Sequence, residues 1–600
     1  MPNPLDPNNI PKFISQLVIP LIYEPTVFKD PKTGKVKSHD YQVTISEFTQ
    51  QLLPTRFPAT TVYGYEGKVR DPETGEIIPD FRSTPGPTFE AIRHIPINVQ
   101  WINNLTEPHP LAVDPTIHWA NPNNMPMPMP PFPPFPPGFP LAQSPVPIVT
   151  HLHGGETEPS SDGYPEAWFT AGEAITGPKF IKSRYHYVND QEPTTLWYHD
   201  HALGITRLNV VMGLSGFYLL RDPHNPLDGK HSKLPHGKYE IPLVIQDRSF
   251  NDDGSLLFPS NGDNPDIHPY WVPEFFGDTI MVNGKVWPNL DVEPRQYRFR
   301  ILNGSNARFY NLMFSNNMPF FQIGTDGGYL EKPVQLVSLL IAPAERADIV
   351  VDFSQLSPGT KLILTNSANA PFPDGDPPDS KTTGKIMQFT VLNKPAVIPR
   401  PLPKVLNVLV PQKHTGKIRT LTLYEIEGPN GPLEILLDGQ PWKAPVSELP
   451  LVGATEDWQF VNLTPDAHPM HLHLIQFRLV SRQDFLVEEY TKDWLALNGQ
   501  PPFDHPTIVL PVKPYLLDGP INPPAHENGW KDTIQVYPGQ VTIIRARFAP
   551  QDVLISIPGI NQFPFNPAAE PGYVWHCHIV DHEDNDMMRP YKVRNPLEDC

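Results

Sequence analysis

The sequence predicts an all-β protein built from several sandwiches or barrels, and three observations predict it. Short runs that alternate or are rich in β-branched residues recur from end to end: YQVTISEF, HIPINVQWI, YEIPLVIQD, DIVVDF, KIMQFTVL and VTIIRARF. Pro, Gly, Asn and Asp separate them, and helical periodicity is scarce. The 79 prolines among 600 residues favour strands, turns and irregular loops over long helices. An aromatic-rich strand also runs into an asparagine three times, in VQWINNLT (99–106), YRFRILNGS (297–305) and WQFVNLT (458–464). This weak repeat divides the chain near 230 and 400.

Length agrees with that division, since 600 residues exceed what one core can organise. A hydrophobic fraction of 39% with 18% charged residues fits a folded globular chain. The net charge of −19 excludes a dominant basic surface, so no nucleic-acid partner is expected. The first 25 residues lack a basic start, a long apolar stretch and a small-residue cleavage site, so no signal peptide is expected. No run of about 18 apolar residues predicts a transmembrane helix. Cytoplasmic synthesis follows as an expectation, with a spore coat or cell surface as a further destination. Two cysteines cannot build a disulfide framework.

Taken along the chain, the first segment contains a proline-rich insertion over 122–140, NNMPMPMPPFPPFPPGFP, which reads as a polyproline II spacer. Its Met125, Met127 and Met129 are thioethers of the kind that bind Cu(I), or they simply pack a surface loop. In the middle segment the repeat strand leads into ARFYNLMF, with no histidine, so no metal ligands are expected there. In the last it leads into HPMHLHLIQFRLV, and residues from about 500 to 530 read as another long loop.

Chemistry concentrates in four places: THLHGG (150–155), WYHDHA (197–202), HPMHLHL (468–474) and YVWHCHIVDHEDNDM (573–587). Each contains His-X-His. Strand residues two apart share a face, so each pair can present two imidazoles to one metal cluster. One such pair is a weak signal, but four together are a strong one. The last pair encloses Cys577, which must face away from His576 and His578. One strand then serves two sites joined through covalent neighbours about 3.8 Å apart at Cα. Cys577 with His468, His582 and Met587 gives the thiolate, two imidazoles and weak thioether of a blue-copper site; zinc has no need of the thioether. The eight imidazoles of His151, His153, His199, His201, His471, His473, His576 and His578 suit about three further coppers with open positions for oxygen. Four metals storing one electron each match the four electrons that take O2 to water.

The motifs H-X-H-G, H-X-H, H-P-X-H-X-H and H-C-H-X3-H-X4-M, in this order, resemble those of the multicopper oxidases, particularly the bacterial spore-coat laccase and bilirubin-oxidase-like branch. DGYPEAWF, VNGKVWP, APAERADIVVDF, GWKDTIQVYPG and HEDNDMMRP carry the same likeness, which covers almost the whole chain. The resemblance implies three cupredoxin-like Greek-key β-sandwich domains over 1–230, 231–400 and 401–600. It implies four copper ions: type 1 held by His468, Cys577, His582 and Met587, type 2 by His151 and His471. The type 3 pair falls to His153, His199, His201, His473, His576 and His578. Asp162 and Glu583 match acidic residues that move protons, and His582 matches the imidazole whose exposed edge receives electrons. Cys577 then relays electrons toward the O2 site. The implied partners are O2 and a small aromatic reductant: a phenol, aminophenol, aromatic amine or bilirubin. Oxidation of Cu(I) or Mn(II), or a structural coat role, are the alternatives, and a monomer is expected.

One departure stands out, because members of this branch can carry a middle-domain disulfide and Phe276 stands where a cysteine is expected. Of the remaining histidines, His109, His118, His268 and His526 read as surface or loop residues. Met588 reads as core, pointing away from Met587. The sequons at Asn104, Asn303 and Asn462 read as chance matches.

Overall fold

The computed structural model describes residues 2–229 and 231–596; Cys600 lies outside the described residues. Among these, the strands form five sheets that follow one another along the chain. An 11-stranded sheet draws on strands between Ile22 and Arg221. An 8-stranded and a 5-stranded sheet share the strands between Glu240 and Val391. A second 5-stranded sheet and a 4-stranded one are built between Ile418 and Tyr591. The fold is all-β, as the sequence predicts.

The repeated strands explain much of this architecture. In Gln296–Asn303, alternation sends Tyr297, Phe299 and Ile301 into the middle core. Arg298 and Arg300 occupy the other face, equally buried, where Asp348 and Glu240 neutralise them. Each repeat strand pairs in parallel with an earlier strand of its own segment. Each also ends in the same corner: Asn103, Asn303 and Asn462 accept from the backbone N–H two residues on, at 2.9, 3.1 and 2.9 Å. Their amide groups donate to carbonyl oxygens across the turn. These asparagines are buried and fully employed, which removes Asn303 and Asn462 as glycan acceptors.

Helices are few and short. The longest, Val487–Asn498, places Tyr490 and Trp494 on one face, packed with Phe485, Phe503 and Val512, and stops at Gly499 with φ of 93°. Residues 501–530 contain one turn of 3-10 helix, Lys513–Tyr515. No helix among the described residues is long and apolar enough to cross a membrane. In the proline-rich insertion, Phe135 and Phe139 pack edge-on against Tyr270. Met125 lies against the first core, while Met127 and Met129 are 69% and 79% exposed. Phe276 packs on the third core under the Arg308 guanidinium. Of the histidines read as surface or loop residues, His109 is a correction. It lies in a loop but is 3% exposed, because its carbonyl and ring are engaged by Gln143 and Leu111.

The first and third segments are joined by a buried strut. Glu156 accepts from the Gln551 backbone N–H at 2.6 Å, and burial pushes its carboxyl up to about 8 from 4.5. The folded state therefore keeps a proton that the unfolded chain releases. Wild-type stability should fall as pH rises from about 4.5 to about 8, whereas Glu156→Gln cannot ionise and should not follow. Denaturant melts should show the variant gaining on wild type across that window by at most about 1.4 kcal/mol per pH unit. A pH-independent difference would mean that the carboxyl is ionised throughout.

Candidate metal centre

Two strand pairs carry the four motifs. Thr150–His153 runs antiparallel to Thr194–Asp200 with His151 opposite His199. His468–Leu472 runs antiparallel to Tyr573–Cys577 with His471 opposite His576 and Met470 opposite Cys577. His201, His473 and His578 sit just past their strand ends, so alternation places the first member of each of these pairs and the turn places the second. The two strand pairs meet face to face. His151 stacks on His473 with ring centroids 3.7 Å apart, and His153 stacks on His471 at 3.6 Å.

All eight imidazoles come together here, and each is at most 1% exposed. Ring nitrogens of His201, His473 and His576 lie within 4.8 Å of one another, as do those of His153, His199 and His578, and those of His151, His153 and His471. Burial, and secondarily repulsion from neighbouring rings, drives His151, His153, His201, His471, His473 and His578 far below the usual histidine range. Burial holds His199 down at about 3. These are neutral lone-pair donors.

Their second nitrogens fix which lone pair points inward. His151 Nδ1 donates to the Asp162 carbonyl at 2.6 Å, and His471 Nδ1 to the Asp532 carbonyl at 2.8 Å. His199 and His576 donate to the carbonyls of Asp200 and Cys577 at 2.9 and 3.0 Å. Nε2 of His151 and of His471 is left buried without a protein partner. Nε2 of His576 lies 3.3 Å from Nε2 of both His201 and His473, and His199 and His578 face each other at 3.4 Å. Lone pairs converging at that distance fit a cation between them. His153 is reversed: its Nε2 lies 3.0 Å from Asp532 Oδ1 and its Nδ1 has no protein partner.

Two further carboxylates, besides Asp532, flank the cluster. Asp162, fully buried, has Oδ2 at 2.6 Å from His473 Nδ1, while Oδ1 accepts from Thr157 Oγ1 at 2.7 Å. Burial pushes its carboxyl up to about 8. The chain can turn there because Gly163, at φ of 83°, has no Cβ to strike the Thr150 carbonyl. Glu583 is buried rather than solvated, with Oε1 at 3.3 Å from His201 Nδ1 and Oε2 at 3.1 Å from His576 Nδ1.

On the opposite side of the Tyr573–Cys577 strand, Cys577 Sγ lies 3.6 Å from His468 Nδ1 and 3.9 Å from His582 Nδ1. Met587 is buried beside them, and its backbone binds those of Cys577 and His582 at 3.0 Å each. Met588 turns the other way into the first core. Burial pushes the Cys577 thiol far up, so a thiolate there needs a cation. Burial holds His468 down at about 3. Thr464 Oγ1, which donates to Asn462 Oδ1 at 2.8 Å, lies 2.6 Å from His468 Nε2 and so accepts its proton. That leaves His468 Nδ1 free toward the sulfur. Thiolate, imidazoles and thioether are soft or borderline donors and fit copper. The expected exposed edge at His582 is not found: His582 is 1% exposed, within a Val580–Glu583 turn whose residues are all buried.

Several neighbours escaped sequence reading. Thr464, Asp532 and Arg346 sit inside recognisable segments but carry no ligand pattern. A trail of carboxylates also leads inward to His468. Asp374 and Glu427 are exposed, Asp466 and Glu274 are half-buried, and Glu425 is buried. Glu425 Oε1 lies 4.0 Å from His468 Nε2, and neither of its oxygens has a protein hydrogen bond. Burial and then repulsion from Asp466 and Glu427 push Glu425 up to about 8. Burial pushes Glu274 far up, with Asp466, Glu425 and Asp581 adding to it.

Two stretches of the chain, residues 259–383 and 419–596, match family profiles described as multicopper oxidase. The chain is 40% identical over 591 residues to a laccase of Bacillus subtilis (strain 168), covering 98% of this chain and 99% of that one. It is 41% identical over 545 residues to multicopper oxidase LPR1 of Arabidopsis thaliana, covering 89% and 85%. Among solved structures, the McoA multicopper oxidase of Aquifex aeolicus superposes with a TM-score of 0.66 at 25% identity, covering 97% and 99%. With its cupredoxin-like β-fold and its buried histidine–cysteine sites, the chain belongs to the multicopper oxidases and is a copper-dependent oxidoreductase that passes electrons from a reducing substrate to O2.

Proposed function

We propose that this chain works with four copper ions and takes its electrons from a small oxidisable metal cation of the Mn(II) or Fe(II) kind. The observation that carries this reading is Glu425, a buried carboxylate without a hydrogen-bond partner, 4.0 Å from His468 Nε2 at the end of an acidic trail. Carboxylates suit hard divalent cations better than Cu(I). Buried His468 and His582 likewise leave little ring surface for an aromatic substrate.

In this reading His468, Cys577, His582 and Met587 hold the type 1 copper, and His151 and His471 hold the type 2 copper. His201, His473 and His576 hold one type 3 copper, and His153, His199 and His578 the other. Residues 1–230 and 401–600 form the domains that share the cluster, and 231–400 the domain without ligands. Bound copper supplies the one-electron redox steps and the affinity for O2. Everything else falls to the chain. Asp374 and Glu427, at the exposed end of the trail, draw the cation in by charge, and Asp466, Glu274 and Glu425 give up their protons as they pass it to the His468 edge. Cys577 connects that edge to His576 and His578 through its own peptide neighbours. Asp162 and Glu583, touching His473, His201 and His576, hold and pass the protons that O2 reduction consumes.

A second reading keeps a phenol, aminophenol, aromatic amine or bilirubin as the reductant. Its support is a cavity of about 530 Å³ lined by Trp119, Met125, Met127, Leu433 and Asn585, against the loop that follows His582. A Glu425→Gln/Asp466→Asn variant separates the two. Steady-state kcat/KM for Mn(II) or Fe(II) should fall by about 10–100-fold, since a charged contact is worth roughly 1.5–3 kcal/mol. Oxidation of a phenol should be unchanged. Equal activity on the cation before and after would remove the first reading.

A further inference from the structure

The ligand-free middle segment reaches the histidine cluster through Arg346, beside Asp326, whose Oδ2 lies 3.4 Å from the backbone nitrogens of Asp532 and Thr533. Arg346 Nη1 donates to Asp532 Oδ1 at 2.6 Å and Nη2 to Asp532 Oδ2 at 2.5 Å, a two-pronged pair in which neither residue is exposed. Arg346 is itself pinned by the carbonyls of Thr195, Ala344 and Asp326 at 2.9, 3.0 and 3.2 Å. Asp532 touches both imidazoles of one stack, His153 Nε2 through Oδ1 at 3.0 Å and His471 Nδ1 through its carbonyl at 2.8 Å. Gln476 and Thr533 donate to its remaining positions at 3.1 and 3.0 Å. The H-X-H-G motif makes room for the pair: a Cβ on Gly154, at φ of 84°, would lie 2.4 Å from Asp532 Oδ2 and 2.7 Å from Arg346 Nη2.

We infer that Arg346 and Asp532 act as one positioning unit that sets the reversed orientation of His153, holding Nε2–H outward so that Nδ1 is the atom offered to the cluster. The guanidinium keeps the carboxylate in a fixed plane. The carboxylate accepts from Nε2, with Thr533 Oγ1 at 3.0 Å from the same nitrogen, whereas a proton on Nδ1 would be buried with no protein acceptor. Arg346 makes the middle segment part of the oxygen-reducing half without supplying a ligand. Gly154 is required for the space it leaves. The inference rests on the reading that these histidines hold copper.

The test uses the copper-loaded full chain with Asp532→Asn, Arg346→Lys and the double variant, reading cluster affinity by chelator competition and the type 1 blue colour in the same samples. Asp532→Asn should weaken cluster binding about 10–100-fold, the usual effect of losing an outer partner of a ligating histidine. Arg346→Lys keeps the charge but loses the fork, and should weaken it less. The double variant should be no worse than Asp532→Asn alone, because the two residues act together. Blue colour should persist in all three. Unchanged cluster affinity in Asp532→Asn, additive losses in the double variant, or parallel loss of the blue colour would each overturn the inference. Wild-type protein that binds copper only at the Cys577 site would overturn the reading beneath it.

Discussion

Cys577→Ser should bleach the copper-loaded protein and stop oxidation of every reductant, cation or phenol, while the eight-histidine cluster keeps its copper. Serine fits the space, so the fold around Ile579 and Met587 should survive, and thermal melting of the variant provides the control. What is lost is the soft thiolate: a hydroxyl does not ionise in a core of Trp575, Ile579 and Met470, and it binds copper poorly. Because the oxidation site and the oxygen site share the Tyr573–Cys577 strand, the loss isolates one from the other without disturbing His576. Total copper should drop by the single ion of the Cys577 site. A variant that stays blue, or that oxidises substrate at the wild-type rate, would refute the placement of electron entry at this residue.

Asp162→Asn should leave colour and copper content intact and lower kcat by about 10²–10⁴, the range expected when a positioned proton donor is removed. The amide keeps one acceptor oxygen, for Thr157 Oγ1 or for His473 Nδ1, and leaves the backbone carbonyl that holds His151, so seven of the eight rings keep their partners. It cannot carry a proton beside His473. The slowed step should show a larger solvent deuterium effect than in wild type, and KM for the reductant should hardly move, because the residue lies on the oxygen side. Normal kcat with a reduced copper count would instead assign Asp162 a purely structural part.

What was legible in the sequence follows the range over which each signal acts. His-X-His and His-Cys-His carry their geometry locally, in strand alternation, and the eight imidazoles of the four pairs do come together. Even so, His201, His473 and His578 are placed by turns after the strands, which alternation alone does not describe. The all-β class was readable because proline, glycine and alternation agree along the whole chain. The carboxylate trail was not, since Glu274, Asp374, Glu425 and Asp466 are separated by tens of residues and become one feature only when the segments pack. Arg346 and Asp532 were visible as parts of APAERADIVVDF and GWKDTIQVYPG, but an ion pair 186 residues apart in sequence leaves no mark in either segment. The buried state of His109 and His582 depends on side chains brought from elsewhere in the chain, for which their own neighbours give no cue.

The asparagine corner is a closure that works with or without a metal ligand beside it. The same turn closes the repeat strand in all three segments, and in the third its hydrogen bonds run on from Asn462 through Thr464 to His468. In the first, Asn103 fastens the carbonyls of Val146 and Phe169; in the second, Asn303 fastens those of Arg308 and Ile341. The corner closes on protein groups alone, so its shape does not depend on a metal ligand following it. The middle segment keeps the corner without a histidine behind it and serves instead as a brace, through Arg346, for the cluster beside it.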